Sequence, residues 1–114
     1  PPAQESVITL LRQQAAAAPQ RIALSQGARE ISFGDLELQS DRLALMLRQR
    51  GVNSGAIVGI FIDRSIELVL ARLGVLKAGA AYVPLESRLP DKRLEYILGD
   101  TGAGIVLTRK GLRA

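Results

Sequence analysis

Apolar residues recur along this chain with two different periods, and the switches between them divide it into elements. From Ser6 onward, Val7, Leu10, Leu11, Ala15 and Ala18 fall at helical spacing until Pro19 closes the segment. Arg21–Ser25 and Glu30–Phe33 predict two short strands around a Gln26-Gly27-Ala28-Arg29 turn, a hairpin. The next junction is the most legible. Ser32 followed by Asp35 resembles a capping box, with Asp where Glu or Gln is usual, and Ile31 and Leu36 stand at the two positions of a hydrophobic staple. The helix that starts there carries Leu36, Leu43, Ala44 and Leu47 on one face. It should run to about Arg50, where Gly51 supplies a left-handed C-terminal cap.

Further along, Ala56–Ile62 is apolar without alternation, as expected of a strand covered on both faces. Asp63 or Ser65 can cap the following helix. Its Ile66, Leu68, Val69, Leu70, Leu73, Val75 and Leu76 surround the axis and predict deep burial. Gly79 ends it, and Ala80–Pro84 reads as another strand. Pro90 suits the first turn of a short helix through Leu94, Ile97 and Leu98, and Gly104–Thr108 reads as a last buried strand. From residue 56 the order is strand–helix–strand–helix–strand. That order predicts an α/β fold: a partial layered sheet of parallel strands with right-handed crossover helices, preceded by a helix and a β-hairpin. Three parallel strands need helices on both faces, and about two crossover helices are on hand, so the cover should be incomplete. Residues 1–5 read as a linker stub and 6–114 as the domain portion.

Composition then subtracts. A chain of 114 residues and 12.2 kDa fits one modest domain. It contains neither cysteine nor histidine, which excludes thiolate nucleophiles, disulfides, a hydrolytic triad and a zinc site within these residues. Fifteen Lys+Arg against eleven Asp+Glu give a formal +4. The basic residues are dispersed, Arg48/Arg50 and Arg109/Lys110/Arg113 being the tightest groups. Most have acids close in sequence, as in Asp41–Arg42, Asp63–Arg64, Glu67–Arg72 and Asp91–Lys92–Arg93–Glu95. No aromatic residue alternates with them, so a mixed solvated surface is the better reading and no nucleic acid is expected as a partner. The longest uncharged run, Gly51–Ile62, falls short of the roughly 20 apolar residues of a membrane span, and residues 1–5 do not read as a signal peptide. A cytoplasmic protein with no membrane partner is expected.

Candidate chemistry is sparse. The strand ending near Ile62 leads into Asp63-Arg64-Ser65 with no glycine before the helix, so the phosphate-cradling turn of a nucleotide fold is missing there. Gly99-Asp100-Thr101-Gly102-Ala103-Gly104 precedes a strand rather than a helix and reads as a cap and turn. Lys77 beside Gly79 invites a phosphate contact, but a lysine in the last helical turn also suits the helix dipole. Glu86 and Asp91 invite a magnesium site, yet no third oxygen ligand keeps their spacing. Tyr82 reads as a half-buried strand residue. No catalytic, cofactor-binding or metal-ligating residue is assigned.

At the same segments the chain resembles the start of an amino-acid adenylation domain of a nonribosomal peptide synthetase, within the adenylate-forming family that includes acyl-CoA synthetases. Ile31-Ser32-Phe33-Gly34-Asp35-Leu36 is similar to the first core motif of those domains, with Phe33 for the usual tyrosine and Asp35 for the glutamate. Leu76-Lys77-Ala78-Gly79-Ala80-Ala81-Tyr82-Val83-Pro84-Leu85 resembles the second almost letter for letter. Between and around them, Arg42-Leu43-Ala44, Val58-Gly59-Ile60, Arg64-Ser65 with Glu67, Pro90, Arg93-Leu94 and Asp100 with Gly102-Ala103 fall where the family has them. Asp41 replaces a common asparagine and Glu86-Ser87 a typical aspartate-proline. The resemblance runs from about Ser6 to Thr108 and implies part of the large N-terminal subdomain. The family's phosphate loop, substrate-binding and ribose-binding aspartates and catalytic lysine come later, so no catalytic residue carries over. Length then reads as that at which a longer domain is cut.

The resemblance further implies a parent enzyme that uses ATP and Mg to make an aminoacyl-AMP and loads it on a carrier-protein phosphopantetheine thiol. The rest of the adenylation domain, carrier and condensation domains and an MbtH-like accessory protein would be its partners. The alternatives are a fragment of an acyl-CoA or fatty-acyl-AMP ligase, and a free-standing, non-catalytic α/β interaction module.

Overall fold

A computed structural model of the chain describes residues 2–85 and 105–108. The elements are α1 (Pro2–Ala17), β1 (Ile22–Gln26), β2 (Arg29–Ser32), α2 (Phe33–Gln49), β3 (Ile57–Phe61), α3 (Ile66–Lys77), β4 (Ala81–Pro84) and β5 (Ile105–Thr108). The short helix expected from Pro90 lies outside the described residues. Helix α1 begins at Pro2, so residues 2–5, read above as a linker stub, are helical. A proline fits there because the first helical N–H groups have no intrahelical partner to lose. Of the apolar positions expected to face inward on α1, Leu11 is buried and Ala15 and Ala18 half-buried, whereas Val7 and Leu10 are exposed. The stripe that packs is therefore narrower than the one the spacing suggests.

Helices α2 and α3 are each closed by local chemistry at both ends. The Ser32 Oγ accepts the Asp35 N–H at 3.1 Å, which makes Ser32 the N-cap of α2. Ile31 and Leu36, the expected staple, share one buried cluster. At the far end the Gly51 N–H donates to the Arg48 carbonyl (3.0 Å) and the Val52 N–H to the Leu47 carbonyl (3.0 Å), with Gly51 at φ 94°. Helix α3 repeats the arrangement. Ser65, not Asp63, caps its start by accepting the Leu68 N–H at 3.1 Å. Gly79 at φ 85° and Ala80 close its end on the Leu76 and Val75 carbonyls. Each is the two-bond left-handed cap that only glycine enters without steric cost. In both caps the pair it brings together, Leu47 with Val52 and Val75 with Ala80, is buried.

Strands β1 and β2 form an antiparallel hairpin with Gln26 opposite Arg29, as the turn residues predict, and a register shift between Ile22 and Leu24. Strands β3, β4 and β5 form a parallel sheet in the order β4-β3-β5. The centre strand is thus the first of the three in sequence, which periodicity alone does not reveal. Val58 and Ile60 of β3, Leu107 of β5, Leu43, Ala44 and Leu47 of α2 and Ala71 and Val75 of α3 make the main core. A second cluster, Leu11, Ile31, Leu36, Ile66, Leu70 and Leu73, joins α1, the hairpin and the helices. The two helices approach closely at Gly74, where an added Cβ would come within 2.5 Å of Leu43 Cδ2 and 2.9 Å of its Cβ.

Candidate functional site

In an open parallel sheet, ligands bind outside the carboxyl ends of the strands, where the strand order reverses. That place falls between β3 and β5, where Phe61 stands opposite Thr108. The chain leaves β3 through Ile62 and the Asp63-Arg64-Ser65 turn, and the Ser65 Oγ donates to the Asp63 carbonyl at 2.8 Å while capping α3. Beside this turn a cleft of about 410 Å³ opens towards the hairpin, lined by polar Ser25, Gln26, Arg64 and Ser65 and apolar Leu24, Ile66 and Val69.

The hairpin is held against α3 by polar groups that sequence reasoning does not foresee. Gln26 Oε1 accepts the Ile66 N–H at 3.2 Å, an N-terminal donor of α3 with no partner inside the helix. Arg29 grips Glu67 with both guanidinium arms, Nη1 to Oε1 at 2.8 Å and Nη2 to Oε2 at 2.5 Å. The Glu67 side chain is 6% exposed and that of Arg29 45%. The hydrogen bond to Glu67, helped by its charge and opposed by desolvation, raises the Arg29 pKa. Sequence spacing places Arg72 near Glu67. The Arg72 guanidinium carbon lies 5.6 Å from the centre of the Tyr82 ring, and its Nε is buried without a hydrogen-bond partner. Such partners 38 residues apart leave no trace in local spacing, though a glutamate on a helix apolar all round is the available signal.

Lys77 is placed where the phosphate reading fails. Its side chain is 2% exposed, and the ammonium donates to the Glu37 carbonyl (3.3 Å), the Glu37 carboxylate and Asp41 Oδ1 (2.9 Å). An ammonium has three donors, and three acceptors on α2 take them. Arg48 Nη2 in turn donates to the Lys77 carbonyl at 3.2 Å, satisfying an acceptor at the end of α3. The lysine ties two helices together, and Asp41, expected beside Arg42, is part of that tie. Tyr82 is half-buried on β4, as read. Glu86, Asp91, the Gly99–Gly104 cluster, the Asp91–Glu95 charge run and Arg109, Lys110 and Arg113 lie outside the described residues. Among the described residues no three acidic side chains gather to hold a metal ion. No helix there is long and apolar enough to cross a membrane.

Comparison with known proteins gives this scaffold its place. The family model described as AMP-binding enzyme matches residues 11–114. Tyrocidine synthase 1 of Brevibacillus parabrevis is 42% identical over 95% of this chain and 10% of its own length. The chain spans a tenth or less of the curated relatives it matches. Among solved structures, the N-terminal subdomain of Klebsiella oxytoca NpsA, in complex with 3-hydroxyanthranilyl-AMSN, superimposes with a TM-score of 0.80. It is 31% identical, over 90% of this chain and 26% of its own. The nonribosomal peptide synthetase FmoA3, in its α-methyl-L-serine-AMP-bound form, gives 0.84 at 34% identity, over 90% of this chain and 12% of its own. Nearly the whole segment thus shares the family's sequence and the fold of these solved structures: this chain belongs to the AMP-binding enzyme family, and its fold is that of part of the NpsA N-terminal subdomain.

Proposed function

We propose that residues 6–114 are the structural opening portion of an adenylation domain, with residues 1–5 leading into it. The whole enzyme activates an amino acid with ATP to an aminoacyl-AMP with release of pyrophosphate. It then passes the acyl group to the phosphopantetheine thiol of a carrier domain. The observation that carries this reading is the likeness to FmoA3 bound to α-methyl-L-serine-AMP, an aminoacyl adenylate, at a TM-score of 0.84 and 34% identity. Magnesium, when bound with ATP, neutralises phosphate charge during the transfer. Its ligands, the phosphate-binding loop and the catalytic groups belong to the remainder of the enzyme, and no residue of this segment touches the reacting atoms. Its own residues build the sheet and set the helix ends against which the active site is assembled. The remainder of the domain and carrier and condensation domains are its partners, with an MbtH-like protein as an accessory, in the cytoplasm.

The test is amino-acid-dependent ATP–pyrophosphate exchange. The enzyme carrying this segment is expected to exchange label with at least one amino acid, whereas the 114-residue chain alone matches a heat-killed control. Exchange by the isolated chain overturns the structural role. Exchange by the enzyme with a fatty acid and with no amino acid overturns the substrate class.

A further inference from the structure

The hairpin does not need a charge to stay on α3, because Ile31 already shares an apolar cluster with Ile66 and Leu70. Yet it uses one. Glu67 is 4% exposed, the one buried acid among the described residues, and a buried carboxylate is unfavourable unless it is paired and hydrogen-bonded. What the two-armed pair adds is direction. A guanidinium fork meets a carboxylate in one planar geometry, where apolar packing allows sliding. Gln26 fixes a second point by accepting both the Ile66 N–H and, at 3.4 Å, Arg29 Nη1. The two points fasten the first turn of α3, and the Asp63-Arg64-Ser65 turn just upstream leaves the carboxyl end of the centre strand, where the strand order reverses.

We propose that Arg29 and Glu67 are positioning residues for the nucleotide crevice of the adenylation reaction. Held by this latch, the hairpin fixes the β3–α3 turn as part of the crevice wall without touching substrate. The inference rests on the adenylation reading above. A wall that holds ATP equally in the ground and transition states governs KM and leaves kcat alone.

The experiment uses the full enzyme that carries this segment. Arg29→Ala is expected to raise the KM for ATP, and the Kd for ATP measured without amino acid, about tenfold, with kcat and the KM for the amino acid within about twofold of wild type. Arg29→Lys, which keeps the charge and loses the fork, should fall between. The swapped pair Arg29→Glu/Glu67→Arg should recover most of the ATP affinity, and hydrogen exchange of the Ile66 and Leu68 amides should quicken in Arg29→Ala. A folded Arg29→Ala enzyme with wild-type KM and Kd for ATP overturns the proposal. So does a loss of kcat in step with Tm while ATP affinity stands. Should Arg29→Ala fail to fold, the swapped pair decides: recovered Tm without recovered ATP affinity overturns positioning. A wild-type enzyme that exchanges pyrophosphate with no amino acid overturns the adenylation reading instead.

Discussion

Two glycines show how one residue type solves opposite problems. Gly51 has open space around a would-be Cβ but sits at φ 94°, so its difficulty is conformational. Gly74 has ordinary helical backbone and no space, because Leu43 lies where its Cβ would be. Gly51→Ala is therefore expected to cost about 1–2 kcal/mol, the penalty of placing an L-residue in the left-handed region. Gly51→Asn should recover part of that. Gly74→Ala sets an overpacking cost of about 1–3 kcal/mol against up to about 1 kcal/mol of regained helix propensity. It should be net destabilising, and less so in a Leu43→Ala background. Denaturant melts of the four-variant cycle read the coupling; strictly additive costs would mean that Leu43 simply moves aside. At Arg29 the raised pKa has its own consequence. Its contribution to stability is complete at every pH below the ordinary guanidinium range and disappears only in strong alkali, so Arg29 itself adds no pH dependence near neutrality.

At the scale of elements, the local signals are readable in the sequence and the distant ones are not. The Ser32 cap, the Ile31–Leu36 staple and the glycine caps after α2 and α3 each involve residues a few positions apart, so spacing carries them. The choice of Ser65 over Asp63, the tie from Lys77 to α2 and the latch from Arg29 to Glu67 depend on what the fold brings near, and local spacing is silent on that. The same holds for the strand order: the pattern declares parallel strands but not that β3 is central. Motif resemblance marks the Lys77 segment as special without a physical reason, and the structure supplies one. A single ammonium holds Glu37 and Asp41 while Arg48 caps the helix it ends. Lys77→Met keeps most of the apolar stem and loses every one of the ammonium's donors. It should destabilise the protein by about 1–3 kcal/mol, the range for lost charge-assisted hydrogen bonds when the abandoned carboxylates can turn to water. Asp41, at 53% exposure, can do so readily. Asp41→Asn should therefore cost much less than Lys77→Met in the same thermal melt. Equal losses would show that the exposed acid, not the Glu37 side of the cluster, carries the tie.

For the molecule as a whole, the open question is the face of the sheet that the helices leave. The register places Val58, Ile60, Tyr82, Ile105 and Leu107 together on the side of the core, so Ile57, Ala81 and Val106 face the other way. Ile57 and Val106 remain 37% and 39% exposed. Purely parallel sheets occur almost only with both faces covered, because their residues are apolar on each side. Among the described residues, β4 and β5 each pair on one side alone, which leaves strand edges beside that apolar face. The 114-residue chain in isolation is therefore expected to enhance the fluorescence of a hydrophobic dye and to elute later in dilute than in concentrated runs of gel filtration, as associating species dissociate. Val106→Lys places a charge on this face at the outer strand β5 and should weaken both effects without disturbing the core, since Val106 lies outside it. In the full enzyme the same substitution should instead lower stability or yield, if further parts of the domain pack there. A monodisperse chain with a sharp melt and no dye response would show that this face is covered from within the 114 residues, and the reading of the segment as one portion of a larger layered subdomain would lose its physical support.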